Sequence, residues 1–220
     1  MHYKFIDIGC AATNTSVDTY GLDVHGLLIE PVEEYCRVLP KSNKVKVVNL
    51  GVSTFDGKQL MNIVVDNVSN YVPKQILQDP KFLKKYVARR GKIGGISSFL
   101  DEDINPYLKE TPKDRKKARY VDVVKLSTLV QRYEISTIDH LKIDVEGYEE
   151  VILLQLLELL KDKVIDIKYS ITFEYNNLGN KKKLDLIRKE LEDLYGFESK
   201  YVENKDTFDK DYILTKPHNV

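Results

Sequence analysis

The chain has 220 residues, of which 42% are hydrophobic and 31% charged, a composition typical of one folded domain rather than a disordered segment. Its 34 basic residues balance 34 acidic ones, so no global electrostatic attraction to DNA or to acidic membranes is expected. The longest apolar run, at residues 151–160, is too short to span a bilayer, and Cys10 and Cys36 lack metal-ligand spacing. We therefore expect a cytoplasmic protein with free thiols, folded as a single domain over residues 1–220.

Strand-like and helix-like segments alternate along most of the chain. Short apolar or β-branched runs predict strands at residues 3–8, 27–30, 45–50, 138–145, 165–173, 197–202 and 211–215. Apolar residues at helical spacing predict helices at residues 32–39, 126–133, 147–161 and 181–195. The last two strands are too close in sequence for a helical crossover and should form a hairpin. The alternation predicts an α/β fold with a Rossmann-like, doubly wound, mostly parallel sheet and one reversed strand at its edge.

Residues 53–120 do not fit this alternation. They contain four prolines, the Gly94-Gly95 pair and many charges, with one helix-like segment at residues 80–90. We interpret residues 53–120 as a lid region that binds the substrate.

A first group of candidate site residues follows the first two predicted strands. Asp7 and Gly9 end the first strand, Asn14 lies in the loop that follows, and Glu30 ends the second strand. A glycine turn brings backbone N–H groups close to a ligand, and a carboxylate at the second strand end can accept hydrogen bonds from both ribose hydroxyls. The three-glycine pattern of pyrophosphate-binding loops is missing, because only Gly9 is a glycine and the later positions hold Ala11 and Ala12. A ribose without phosphates fits better, which favours S-adenosylmethionine over a dinucleotide.

A second, acidic group follows the two central strands. Asp144, Glu146 and Glu149 lie where the strand at residues 138–145 gives way to a helix, and Glu174 ends the next strand. Carboxylates at a helix N-terminus are often simple caps, an interpretation that applies best to Glu149. Consecutive strands in this topology are usually neighbours, so Glu174 should lie beside Asp144.

The chain resembles the FkbM-type methyltransferases. The resemblance rests on Phe5-Ile6-Asp7-Ile8-Gly9, on Glu30-Pro31, on Leu126-Ser127-Thr128-Leu129 and above all on the run from Ile138 to Glu149 that contains Lys142-Ile143-Asp144-Val145-Glu146-Gly147. It implies the seven-stranded class I fold, S-adenosylmethionine as methyl donor and a hydroxyl of a sugar-type molecule as acceptor.

The same resemblance implies positions for the methyl donor. Asp7 and Gly9 would line its methionine end, Glu30 its ribose, and Gly51 and Val52 the region near its adenine. Ser97 and Ser98 match a small polar segment of the family and would face the donor or the acceptor.

Two mechanisms of methyl transfer are consistent with these residues. In the first, Asp144 or Glu146 removes the proton of the acceptor hydroxyl, and Glu174 orients the substrate. In the second, Asp144, Glu174 and Asn176 hold a divalent metal such as Mg²⁺, which acidifies the hydroxyl.

The other function classes consistent with the sequence are an RNA 2′-hydroxyl methyltransferase, an NAD-dependent oxidoreductase and a non-catalytic Rossmann-like interaction module. The expected partner is a small-molecule or glycan acceptor, and the chain is expected to be a monomer or a weak homodimer.

Overall fold

The computed structural model describes residues 1–11, 15–64, 97–100, 109, 113, 116–175, 178–203 and 210–217. The strands of these ranges are β1 (His2–Ile8), β2 (Gly26–Ile29), β3 (Val45–Val48), β4 (Gly51–Val52), β5 (Gly57–Val64), β6 (Lys116–Val124), β7 (Thr137–Ile143), β8 (Asp166–Glu174), β9 (Glu198–Glu203) and β10 (Lys210–Thr215). The helices are α1 (Thr15–Tyr20), α2 (Glu33–Cys36), α3 (Leu126–Arg132), α4 (Glu149–Lys161) and α5 (Lys181–Tyr195).

Seven strands form the main sheet in the order β3-β2-β1-β7-β8-β10-β9. The first five are parallel, and β10 is antiparallel to both β8 and β9. The predicted fold class, a doubly wound, mostly parallel sheet with a C-terminal hairpin, is confirmed. The prediction that the reversed strand lies at the edge of the sheet was wrong, because the reversed strand β10 lies inside the sheet and β9 forms the edge. Helix α5 leads from β8 to β9, which lies one strand position away from β8. The last strand, β10, occupies the position between them.

Apolar side chains cover both faces of the main sheet. Alternate residues of a strand point to opposite faces, so Ile6 packs in one cluster with Leu153 of α4 and Ile187 of α5. Phe5 packs in a second cluster with Val17 of α1. Because both faces are covered, ligands have access to the central strands only at their ends.

A second, three-stranded sheet in the order β4-β6-β5 lies outside the predicted alternation. Its strands β5 and β6 are antiparallel over eight residue pairs, from Gly57 opposite Val123 to Val64 opposite Lys116. The two ends of the lid region that we expected at residues 53–120 therefore lie in regular sheet, at residues 57–64 and 116–120, and most of the region between them lies outside the described residues. Met61 and Ile63 of β5 pack with Val121 and Val123 of β6, as the period of two in a strand requires.

The described helices differ from the predicted ones at three places, the first of which is α2, shorter than the helix predicted at residues 32–39. Helix α1 was not predicted, since Val17 is its one buried apolar residue. Helix α4 begins two residues later than expected because Glu146 and Gly147 have left-handed backbone conformations, with φ of 55° and 97°. The helix predicted at residues 80–90 lies outside the described residues. No helix within the described ranges has the length and hydropathy that a membrane crossing requires.

Candidate active site

The ends of β1 and β7 meet at the point where the strand order of the main sheet reverses. Gly9 donates its N–H to Ile29 O at 2.9 Å, and Asp144 donates its N–H to Ile8 O at 2.9 Å, so both strands keep their pairing up to the edge. Gly9 has a φ of 83°, and the backbone of Asp144 lies directly against its α-carbon. This close approach requires glycine and creates the floor of a cleft.

Glu30 forms one side of the cleft. Its two carboxylate oxygens accept hydrogen bonds from the backbone N–H groups of Ala11 and Val32, each at 2.8 Å, and the residue is only 4% exposed. Burial raises the pKa of Glu30 to about 7, although the two N–H groups act in the opposite direction. Each oxygen of a carboxylate has two lone pairs, so both remain able to accept a further hydrogen bond. Glu30 therefore offers two fixed acceptor oxygens at this side of the cleft.

Beyond Glu30 the cleft becomes apolar. The main sheet and the second sheet both contribute to this part, together with the segments that follow β2 and β3. The residues that line it are Pro31, Tyr35, Leu50, Val52, Met61, Ser97 and Phe99. A slot of this composition suits a flat ring system.

Asp7, Lys142 and Asp144 form a chain of charges at the other end of the cleft. The Lys142 ammonium lies 3.1 Å from Asp144 Oδ2 and 3.6 Å from Asp7 Oδ1, while Ser16 donates its hydroxyl to Asp7 Oδ2 at 2.6 Å. Burial raises the pKa of Asp7, against the effects of Lys142 and Ser16. Burial alone would lower the pKa of Lys142, but Asp144 and Asp7 outweigh it and raise that pKa above its usual value.

This arrangement differs from the expected contact between Asp7 and a ligand. Asp144, Gly9 and Ile8 line the cleft, whereas Asp7 lies on the face of the sheet that α1 covers. Lys142 is the residue that connects Asp7 with the cleft, a role that the sequence pattern had not indicated.

The three carboxylates predicted to take part in catalysis lie together. One oxygen from each of Asp144, Glu146 and Glu174 falls within 4.8 Å of the others, and all three residues are partly exposed. Glu174 lies beside Asp144, as expected, because β7 and β8 are paired and the two residues follow or end these strands. Asn176, the third residue of the predicted metal site, lies outside the described residues.

Glu149 holds the turn that carries this acidic group. Its side chain accepts hydrogen bonds from Val145 N at 2.9 Å and from Gly147 N at 3.0 Å, and it is 1% exposed. Burial raises its pKa to about 7, against these backbone donors. The carboxylate therefore holds the turn ahead of α4, whereas the sequence had left capping of the helix and a role in the site equally open for Glu149.

The remaining candidates occupy less direct positions. The hydroxyl of Ser98 donates to Glu146 O at 2.8 Å and so fixes the acidic turn, while its neighbour Ser97 lines the cleft. The ring of Phe99 lies against Gly51, 2.8 Å from the point where a β-carbon on Gly51 would stand. Asn14 lies outside the described residues.

The strand order and the cleft at the junction of β1 and β7 define a methyltransferase-like α/β fold. Residues 9–199 match the Methyltransferase FkbM domain, so the chain belongs to the FkbM methyltransferase family. No curated protein matches the sequence.

A crystal structure of methyltransferase FkbM from Methylobacillus flagellatus KT has a similar fold, with a TM-score of 0.52 and 11% sequence identity. The alignment covers 97% of this chain and 44% of that one, so the present chain spans less than half the length of this relative. At such low identity the likeness concerns the fold alone.

Proposed function

We propose that the protein transfers the methyl group of S-adenosylmethionine to a hydroxyl oxygen of a sugar or glycan-type acceptor. The observation that carries this proposal is that one cleft is lined by Gly9, Glu30 and Asp144, residues that are far apart in the sequence. Membership of the FkbM methyltransferase family supports methyl transfer in general.

The two ends of the cleft suit the two ends of the methyl donor. Glu30 would accept hydrogen bonds from the ribose hydroxyls, and the apolar slot formed by Tyr35, Leu50 and Val52 would hold the adenine. The methionine end then extends toward Gly9 and Asp144. In this orientation the sulfonium lies near carboxylates, which favour its positive charge.

Methyl transfer is an in-line displacement in which the acceptor oxygen forms a bond to the methyl carbon while the carbon–sulfur bond breaks. The electron pair of that bond goes to sulfur, which leaves neutral S-adenosylhomocysteine. The acceptor hydroxyl must lose its proton, and we assign this proton to Asp144 because Asp144 lines the cleft. Glu146 is the alternative base, and Glu174 would orient the acceptor through a hydrogen bond.

Two measurements test the proposal. Isothermal titration should show that S-adenosylhomocysteine binds the purified chain, and labelled S-adenosylmethionine should methylate at least one member of a panel of glycans. Asp144→Asn should reduce turnover at least about a hundredfold and leave S-adenosylhomocysteine affinity nearly unchanged. Asp122→Asn, on the exposed face of β6, is the matched control. If the Asp144→Asn variant kept most of the activity, a group other than Asp144 would have to act as the base.

A metal-assisted version has support from the geometry of the three carboxylates. Oxygen ligands of this kind and spacing suit Mg²⁺, which would lower the pKa of the acceptor hydroxyl when bound. Activity that survives thorough EDTA treatment would exclude this version.

The acidic group also weighs against the other function classes. The phosphates of an RNA would face Asp144, Glu146 and Glu174 with like charge. A dinucleotide would need a loop with three glycines for its pyrophosphate, and of these three positions only Gly9 is a glycine in this sequence. A non-catalytic module predicts no binding of S-adenosylhomocysteine, so the same titration separates it from the enzyme.

A further inference from the structure

Lys142 occupies a fixed position among the acidic groups of the site. It is the register partner of Asp7 across the β1–β7 pair, and successive residues of a strand alternate between faces. Its ammonium therefore reaches both Asp7, on the neighbouring strand, and Asp144, two residues later, at 3.6 and 3.1 Å. The Lys142 side chain is only 26% exposed, so water screens its charge incompletely.

The location of this charge matters because donor and product differ in charge. S-adenosylmethionine carries a positive sulfonium, whereas S-adenosylhomocysteine has a neutral thioether and is otherwise the same molecule apart from the methyl group. Asp144 attracts the sulfonium, and an ammonium beside Asp144 opposes that attraction. Both charges therefore contribute to how strongly the cleft distinguishes the donor from the product.

We propose that Lys142 is a specificity-determining residue, whose ammonium limits the preference of the cleft for the charged methyl donor over the neutral product. The proposal rests on the proposed function, since it requires the methionine end of the donor to lie near Asp144. Its consequence is that Lys142 lowers the affinity for S-adenosylmethionine more than the affinity for S-adenosylhomocysteine.

The test is isothermal titration of the full chain with S-adenosylmethionine and, separately, with S-adenosylhomocysteine. In Lys142→Met the ratio of the two dissociation constants should shift about tenfold in favour of S-adenosylmethionine, because a positive charge near the sulfonium is lost. Lys142→Arg keeps the charge and should keep the wild-type ratio. A purely structural role of Lys142 would weaken both ligands equally and leave the ratio unchanged, which would overturn the proposal.

A second background removes an ambiguity at Asp7, whose buried carboxyl could take up a proton when its ammonium partner is lost. The Asp7→Asn variant has no ionisable group at position 7. The double variant Asp7→Asn/Lys142→Met is therefore compared with the single variant Asp7→Asn. The same shift toward S-adenosylmethionine is expected, and an unchanged or opposite ratio in this background would refute the inference. Failure of the wild-type chain to bind either ligand is a different outcome, because it would refute the proposed function itself.

Discussion

The backbone oxygen of Asp144 lies 1.9 Å from the point where a β-carbon on Gly9 would stand. The backbones that follow β1 and β7 are thus in contact at the floor of the cleft, with no side chain between them. Glycine is required after β1 for two reasons: it adopts a φ of 83°, and it leaves room for β7.

Gly9→Ala should therefore destabilise the protein by about 3 kcal/mol or more, because the new methyl group must displace backbone. Gly21 is a matched control, since it has the same φ of 83° but no atom of the described residues lies within 4 Å of the place where its β-carbon would stand. Gly21→Ala should cost only the left-handed backbone strain, about 1–2 kcal/mol. Urea unfolding of both variants measures the difference, and equal losses would mean that the contact with Asp144 is unimportant.

Glu30→Gln should weaken S-adenosylhomocysteine binding by about tenfold to a hundredfold, because an amide offers one acceptor oxygen where the carboxylate offers two charged ones. Glu33→Gln is the control, as Glu33 lies three residues further on and forms an exposed ion pair with Arg37. Titration calorimetry gives both affinities. Similar affinities for the two variants would remove Glu30 from the binding site.

The affinity for S-adenosylhomocysteine should increase as the pH rises from 6 to 8. Burial raises the pKa of Glu30 to about 7, so its carboxyl is largely protonated at pH 6 and ionised at pH 8. Ribose hydroxyls donate better to the ionised form, and bound ligand in turn favours deprotonation. The increase should persist in Glu33→Gln and disappear in Glu30→Gln. A wild-type affinity that is constant over this range would contradict the assignment.

Glu149→Gln should lower the free energy of unfolding by about 1–3 kcal/mol, since either Val145 N or Gly147 N loses its acceptor. The pKa of Glu149 is about 7 in the folded chain, above its unfolded value, so its contribution to stability is greatest in acid and declines as the pH rises through 7. The loss in Glu149→Gln should accordingly be larger at pH 5 than at pH 8.

Denaturant unfolding at the two pH values tests this prediction. Glu150→Gln serves as control, because Glu150 forms an ion pair with the exposed Lys183. A loss that is greater at pH 8 than at pH 5 would reverse the expected sign.

Most of the main sheet could be predicted because buried parallel strands are continuous apolar runs, and the acidic residues follow two of them directly. The second sheet was missed because Met61 and Ile63 are flanked by the apolar Leu60 and Val64, which hides the alternation of a strand, and because prolines and charges dominate residues 53–120. The roles of Lys142 and Ser98 depend on contacts with residues distant in sequence, which periodicity cannot reveal. Which hairpin strand would pair with β8 was likewise not determined by the hairpin pattern.

The insertion of β10 between β8 and β9 affects how the acceptor side of the site is assembled. Glu174 ends β8, and its strand gains its second hydrogen-bonded neighbour only from a segment that begins at Lys210. A change that weakens the pairing of β10 with β8 should therefore loosen Glu174 on the acceptor side of the site before it affects Glu30, whose strand β2 pairs with β1 and β3.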